Sequence, residues 1–163
     1  METNKVNYLT RASREQQELR FQEIQKEKTL VADEIRVAKA HGDLRENAEY
    51  HSALEKQRNL STEEGRVHSF LSNSVIIDDI DYSNDDTVRV GKKVTLLNLD
   101  TDEEIEYQIL GELEADPKNN ILSAYAPLAR NLLGKEEGDT VKIAPPRKAA
   151  YEVEIVEIEN IFP

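Results

Sequence analysis

Cysteine and tryptophan are absent from this 163-residue chain, and no proline occurs before residue 117. Without cysteine there is no disulfide framework, no thiolate zinc site and no cysteine nucleophile, a composition that suits a reducing cytoplasm. No apolar run exceeds a few residues, so the sequence offers neither a transmembrane helix nor a secretory signal, and no membrane partner is expected. Basic residues are in deficit. The 21 Lys/Arg face 33 Asp/Glu, giving a net charge of −12, which excludes whole-chain electrostatic binding to a nucleic-acid backbone; no strong free DNA binding is expected. The length suits one domain or two small ones.

The deficit is uneven. Residues 1–76 carry 12 Lys/Arg against 13 Asp/Glu, a net of −1, whereas residues 77–163 carry 9 against 20, a net of −11. The vocabulary changes at the same place. Glu, Gln, Arg, Ala and Leu dominate before it, with Gly42 and Gly65 the only glycines; afterwards come short runs of Val, Ile, Tyr and Thr punctuated by Gly and Pro. Such a shift predicts a helical domain over residues 1–76 and a β-rich domain over 77–163.

In the first half, Thr10 or Ser13 can cap a helix through its hydroxyl. Phe21, Ile24, Val31, Ile35 and Ala38 follow a heptad-like spacing, with Lys28 filling the gap. His41-Gly42 marks the stop, since glycine readily adopts the left-handed conformation that ends helices. A second helix is predicted from about Leu44 to Leu71, with Leu54, Leu60, Val67 and Leu71 as its apolar stripe. Two helices joined so tightly must lie antiparallel. About 29 residues at roughly 1.5 Å each make a rod of about 40 Å, with Gly42-Asp43 at its tip.

Asp43-Leu44-Arg45-Glu46 fits a capping box, Asp as N-cap and Glu three residues on. Spacing alone favours that role. The same two carboxylates could also share a hard cation such as Mg²⁺, which takes one or two carboxylates and keeps its waters. Two carboxylates do not complete an octahedron, so a metal role would need ligands from a partner. His41, His51 and His68 are scattered and form no metal site.

The second half reads as strands at Val75–Ile77, Lys93–Asn98, Ile105–Leu110, Ile121–Ser123, Thr140–Ile143 and Tyr151–Ile158, with Pro127 opening a short helix that ends at about Gly134. One short helix against an antiparallel sheet is an α+β arrangement.

The stretch His41-Gly42-Asp43-Leu44-Arg45-Glu46-Asn47-Ala48-Glu49-Tyr50-His51 resembles the tip signature of bacterial transcript-cleavage factors of the GreA/GreB family. Val94-Thr95-Leu96-Leu97-Asn98-Leu99-Asp100 is similar to the family's sheet region, and Pro127–Lys135 with Gly138-Asp139 to its C-terminal motif. The three stand in the family's order and separations. The resemblance implies an N-terminal antiparallel coiled-coil hairpin followed by a domain similar to the FK506-binding proteins (FKBP-like). Five aromatic residues there (Tyr82, Tyr107, Tyr125, Tyr151 and Phe162) are too few for a prolyl-isomerase pocket.

The resemblance also implies a mechanism. The coiled coil would enter the secondary channel of bacterial RNA polymerase and stimulate endonucleolytic cleavage of a backtracked transcript, whose extruded RNA 3′ end is the second partner. Asp43 and Glu46 would help hold the second Mg²⁺, an ion supplied and mainly held by the polymerase and not bound autonomously. The chain would be a cytoplasmic accessory factor, with catalysis belonging to the polymerase. Gly42, Arg45, Asn47 and Tyr50 would support the tip; Tyr125, Ala126, Pro127 and Arg130 would dock on the channel rim; Lys39, Lys56 and Arg58 would flank the RNA. A secondary-channel inhibitor of the same family that lacks cleavage activity is the alternative. The sequence departs from the pattern at Ser13 and Gln17, at Tyr125-Ala126, where a capping serine is usual, and at Pro145-Pro146-Arg147-Lys148.

Overall fold

The computed structural model describes residues 5–42 and 47–162. They form two compact units: residues 14–73, and the residues up to Ser13 together with those from Ser74 onward. The first half was expected to be one domain through residue 76, but its N-terminal residues cluster with the second unit instead.

In the hairpin unit, α1 (Arg11–Ala40) and α2 (Ala48–Ser72) supply a sparse seam. Ile24, Val31, Ile35, Ala53, Leu60 and Val67 are buried together, with Phe21, Tyr50, Leu54 and Leu71 packed against them. The predicted stripe is therefore the seam, with Ala53 added. The pairing is antiparallel, as Lys28 reaches Glu64 while Glu34 meets Lys56. Thr10 caps α1, its hydroxyl accepting from the Ser13 amide at 3.2 Å.

The other unit holds a five-stranded sheet in the order β5-β4-β3-β7-β6. Its members are β3 (Lys92–Asn98), β4 (Glu104–Leu110), β5 (Ile121–Ser123), β6 (Thr140–Ile143) and β7 (Tyr151–Asn160). β3 pairs antiparallel with β4 and β7, and β6 antiparallel with β7. β5 pairs parallel with β4, so the sheet is mixed and not antiparallel as expected. The chain between them, residues 111–120, makes a 3₁₀ turn at Pro117–Asn119 and a left-handed residue at Asn120 (φ 57°), and re-enters in the same direction. An irregularity between Thr95 and Leu96 makes Val156 the extra residue of β7. It resets the alternation, so that Val153, Ile155 and then Ile158 face inward, which is why period two is only partial in the sequence.

The inner face, with Val94, Leu96, Ile109, Val141, Ile143, Val153 and Ile155, closes against Ala129 and Leu132 of α3 (Pro127–Leu132). This is the expected α+β arrangement. A separate pair, β1 (Asn7–Leu9) and β2 (Ser74–Ile76), runs parallel. β1 was not predicted: three residues with only Leu9 buried carry no period. Among the described residues no helix is long and apolar enough to cross a membrane.

Candidate functional site

Among the described residues, Asn47 ties together the two helix ends of the hairpin. α1 ends at Ala40, the His41 amide donates to Ala38 O at 3.2 Å, and Gly42 sits at φ +127°, where a Cβ would be strained. α2 begins at Ala48. Its N-cap is Asn47, whose Oδ1 accepts from the Tyr50 amide at 3.1 Å. The same side chain donates through Nδ2 to Ala38 O at 2.8 Å. Asn47 thus satisfies an unpaired amide of α2 and ties it to the last turn of α1.

This corrects the expected start of the second helix. It begins four residues after Leu44, and the N-cap position assigned to Asp43 by the capping-box pattern belongs to Asn47. Asp43, Leu44, Arg45 and Glu46 lie outside the described residues; of the expected tip residues the structure places Gly42, Asn47 and Tyr50. Tyr50 packs on the seam, as expected, with its ring 5.7 Å from that of His51. The asparagine's bond to α1 is a feature that sequence reasoning assigned only loosely. Its signal is an Asn one residue before a helical run that opens with Ala-Glu.

Away from the tip the hairpin is held by ion pairs. The Arg20 guanidinium grips Glu63 with two bonds of 2.7 and 2.8 Å and reaches Glu27 at 2.9 Å. The hydrogen bond from Arg20 holds the Glu63 carboxyl below its ordinary range, and that from Lys28 does the same for Glu64. Of the three cations expected to flank RNA, Lys56 is paired with Glu34 at 3.1 Å, while Lys39 and Arg58 are exposed. Leu30 and Val37 are exposed apolar residues of α1 (66% and 42%) that the heptad spacing does not mark. Among the described residues no group of three or more His, Asp or Glu side chains could hold a metal ion.

In the sheet unit, α3 lacks a side-chain cap, since Ala126 stands at its N-cap. Pro127 occupies the first turn, where a missing amide proton costs nothing. Arg130 is exposed on the last turn. Tyr125, expected to dock with them, is turned toward its own chain: its hydroxyl donates to Val6 O at 2.7 Å, and burial pushes its phenol pKa up. Lys92, a charged side chain only 2% exposed, donates to Asp85 O and, at 2.9 Å, to Thr87 O. It braces the loop that precedes β3.

Residues 7–76 match the family described as "Transcription elongation factor, N-terminal", and residues 83–160 match "Transcription elongation factor, GreA/GreB, C-term". The chain is 44% identical to the transcription elongation factor GreA of Pseudomonas putida over 135 residues, which is 83% of this chain and 84% of that protein. It is 46% identical to the GreA of Xylella fastidiosa over 131 residues, 78% of this chain and 81% of that one. Among solved structures, Gfh1 of Thermus aquaticus is similar with a TM-score of 0.43 at 19% identity, over 97% of this chain and 100% of that one. On its two family matches and these identities, the chain belongs to the GreA/GreB family of transcription elongation factors.

Proposed function

We propose that this chain acts on RNA polymerase, entering the secondary channel with its hairpin and stimulating cleavage of backtracked nascent RNA. The observation that supports this reading is the Asn47 tie. Gly42 ends one helix, and Asn47 caps the next and is bonded to Ala38 O. Asn47 performs the capping, so the two acidic residues are not required for it. Asp43 and Glu46 would then serve as oxygen donors to a hard cation, and two carboxylates suit an ion whose other ligands come from the polymerase.

Asp43 and Glu46 would share in holding a Mg²⁺, which when bound would supply activation of a water and stabilisation of charge on the phosphoryl group. The role of this chain is to carry Asp43 and Glu46 to that place, with Arg45 offsetting phosphate charge and Tyr50 bracing α2. Lys39 and Arg58 line the RNA side, and Lys56 joins them only by leaving Glu34. Ala126, Pro127 and Arg130 form the docking edge on the channel rim. The −11 charge of residues 77–163 complements a basic partner surface.

The test is RNA cleavage on a stalled, backtracked elongation complex at low Mg²⁺. Asp43→Asn and Glu46→Gln remove a charge each without touching the Asn47 cap. Each should bind polymerase like the parent and lose at least about tenfold of stimulated cleavage, part of which returns at raised Mg²⁺. Parental rates for Asp43→Asn at low Mg²⁺ would sink the metal role. A parent chain that occupies the polymerase and leaves cleavage at background would instead be an inhibitor.

A further inference from the structure

The segment Lys5–Arg11 is bound along the sheet unit at every step. Lys5 pairs with Glu112, and its ammonium lies 4.5 Å above the centre of the Tyr125 ring. Val6 O accepts the Tyr125 hydroxyl at 2.7 Å. The Tyr8 ring sits 6.3 Å from that of Tyr125, tilted by 36°. Leu9 is fully buried and pairs with Ile76. Thr10 gives its amide and its hydroxyl to the same oxygen of Glu114, at 2.8 and 3.0 Å. The backbone approach is closest at Gly111, where a Cβ would fall 1.7 Å from Tyr8 O.

Tyr125 immediately precedes Ala126 and Pro127. The start of α3 has no side-chain cap, so its local fastening is reduced to the Ser123 contacts: Tyr125 N on Ser123 Oγ at 3.2 Å and Ala126 N on Ser123 O at 3.0 Å. A hydroxyl at position 126 would have fixed the turn from within. Here a residue 119 positions away fixes it through the neighbouring side chain. A phenol bonded to a backbone carbonyl and covered by an ammonium and a second ring keeps one orientation.

We infer that Tyr125 is a positioning residue and not a docking contact, and that the N-terminal strap Lys5–Thr10 sets the docking edge Ala126-Pro127 through it. This rests on the docking reading above. Affinity for polymerase should therefore depend on the strap, whereas the chemistry at the tip should not.

The experiment is a titration of full-length factor into backtracked elongation complexes, reading the half-saturating concentration separately from the cleavage rate at saturation. Tyr125→Phe keeps the ring and removes the bond to Val6 O; Lys5→Met keeps the aliphatic stem and removes the cation. Each should raise the half-saturating concentration by about threefold to tenfold, the scale of one lost hydrogen bond or cation–π contact, with the saturated rate unchanged. Lys5→Arg should behave as the parent. A purely stabilising role would lower the melting temperature and leave half-saturation at 25 °C as it was, which would overturn the inference, as would a lowered saturated rate. Ala126→Asp serves as the separating control. If it raises the half-saturating concentration while Tyr125→Phe and Lys5→Met do not, the strap has no part in docking. If it too has no effect, the docking edge itself is wrongly placed and the inference falls with it.

Discussion

The hairpin and sheet units solve the same problem with different means. The hairpin buries six side chains in its cluster along helices of 30 and 25 residues, whereas the sheet unit buries fourteen. The hairpin makes up the difference with charge: Arg20 on Glu63 and Glu27, Lys28 on Glu64, Lys56 on Glu34. Such pairs are worth little singly and are screened by salt. A thin rod has no room for a wider core, so its order depends more on solution conditions than that of the sheet unit, whose ion pairs flank a larger core.

The sharpest way to break this contrast is to charge the seam. Ile35→Asp places a carboxylate at a 9%-exposed position between the helices. It should cost the hairpin roughly 3 kcal/mol and abolish cleavage stimulation. Amide hydrogen exchange should show faster exchange in α1 and α2, with β3, β4 and β7 unchanged. Equal loss of protection in both units would show that they do not unfold separately.

Acid should separate the units next. Glu63 and Glu64 titrate below the ordinary carboxylate value of 4.5, so their contribution is complete above that pH and is lost as pH falls through their lowered values. On the sheet, Glu157 is raised by the charge of Glu159, so protonating it relieves repulsion and adds stability as pH falls. Asp85 is held far below its range by bonds from Thr87 and Arg89 and stays charged longer. A circular-dichroism titration should therefore show helical signal lost as pH falls below the ordinary carboxylate value of 4.5, before the sheet unit opens.

The smallest effect has the opposite sign. Gly65 lies inside α2 with nothing within 4 Å of where its Cβ would be. Gly65→Ala should raise hairpin stability by about 1 kcal/mol through the lower entropy of the unfolded chain, measurable in the urea midpoint of the helical signal.

Much of this is legible from residues alone because the relevant forces are local. The spacing of Ile24, Val31 and Ile35 marks the seam, and β5, β6 and the start of α3 fall where Ile121, Thr140 and Pro127 begin their runs. What escaped depends on distant or competing partners. β1 exists because β2 lies beside it, and the parallel entry of β5 depends on Asn120 accepting a left-handed conformation. The start of α2 was misread because two adjacent capping signals compete: Asp43 begins the better-known pattern, yet Asn47 also reaches Ala38 O. The metal role proposed for Asp43 and Glu46 rests on the resemblance to a family, since their spacing alone favours a capping box.

The close approach of Tyr8 O to Gly111 has a consequence for the order in which the molecule can be made. During synthesis from the N-terminus, the pairs Arg20–Glu63, Lys28–Glu64 and Lys56–Glu34 span no more than 43 positions, so the hairpin can assemble as soon as α2 has been made. The Thr10–Glu114 and Val6–Tyr125 bonds span 104 and 119 positions. β1 can pair with β2 once α2 is complete, but the contacts of Val6 and Thr10 with the sheet unit must wait until most of the chain exists, because loop closure over such separations is the slow part of folding. The segment translated early is among the last to complete its contacts, and an arrested ribosome would display a finished arm on an unfinished body.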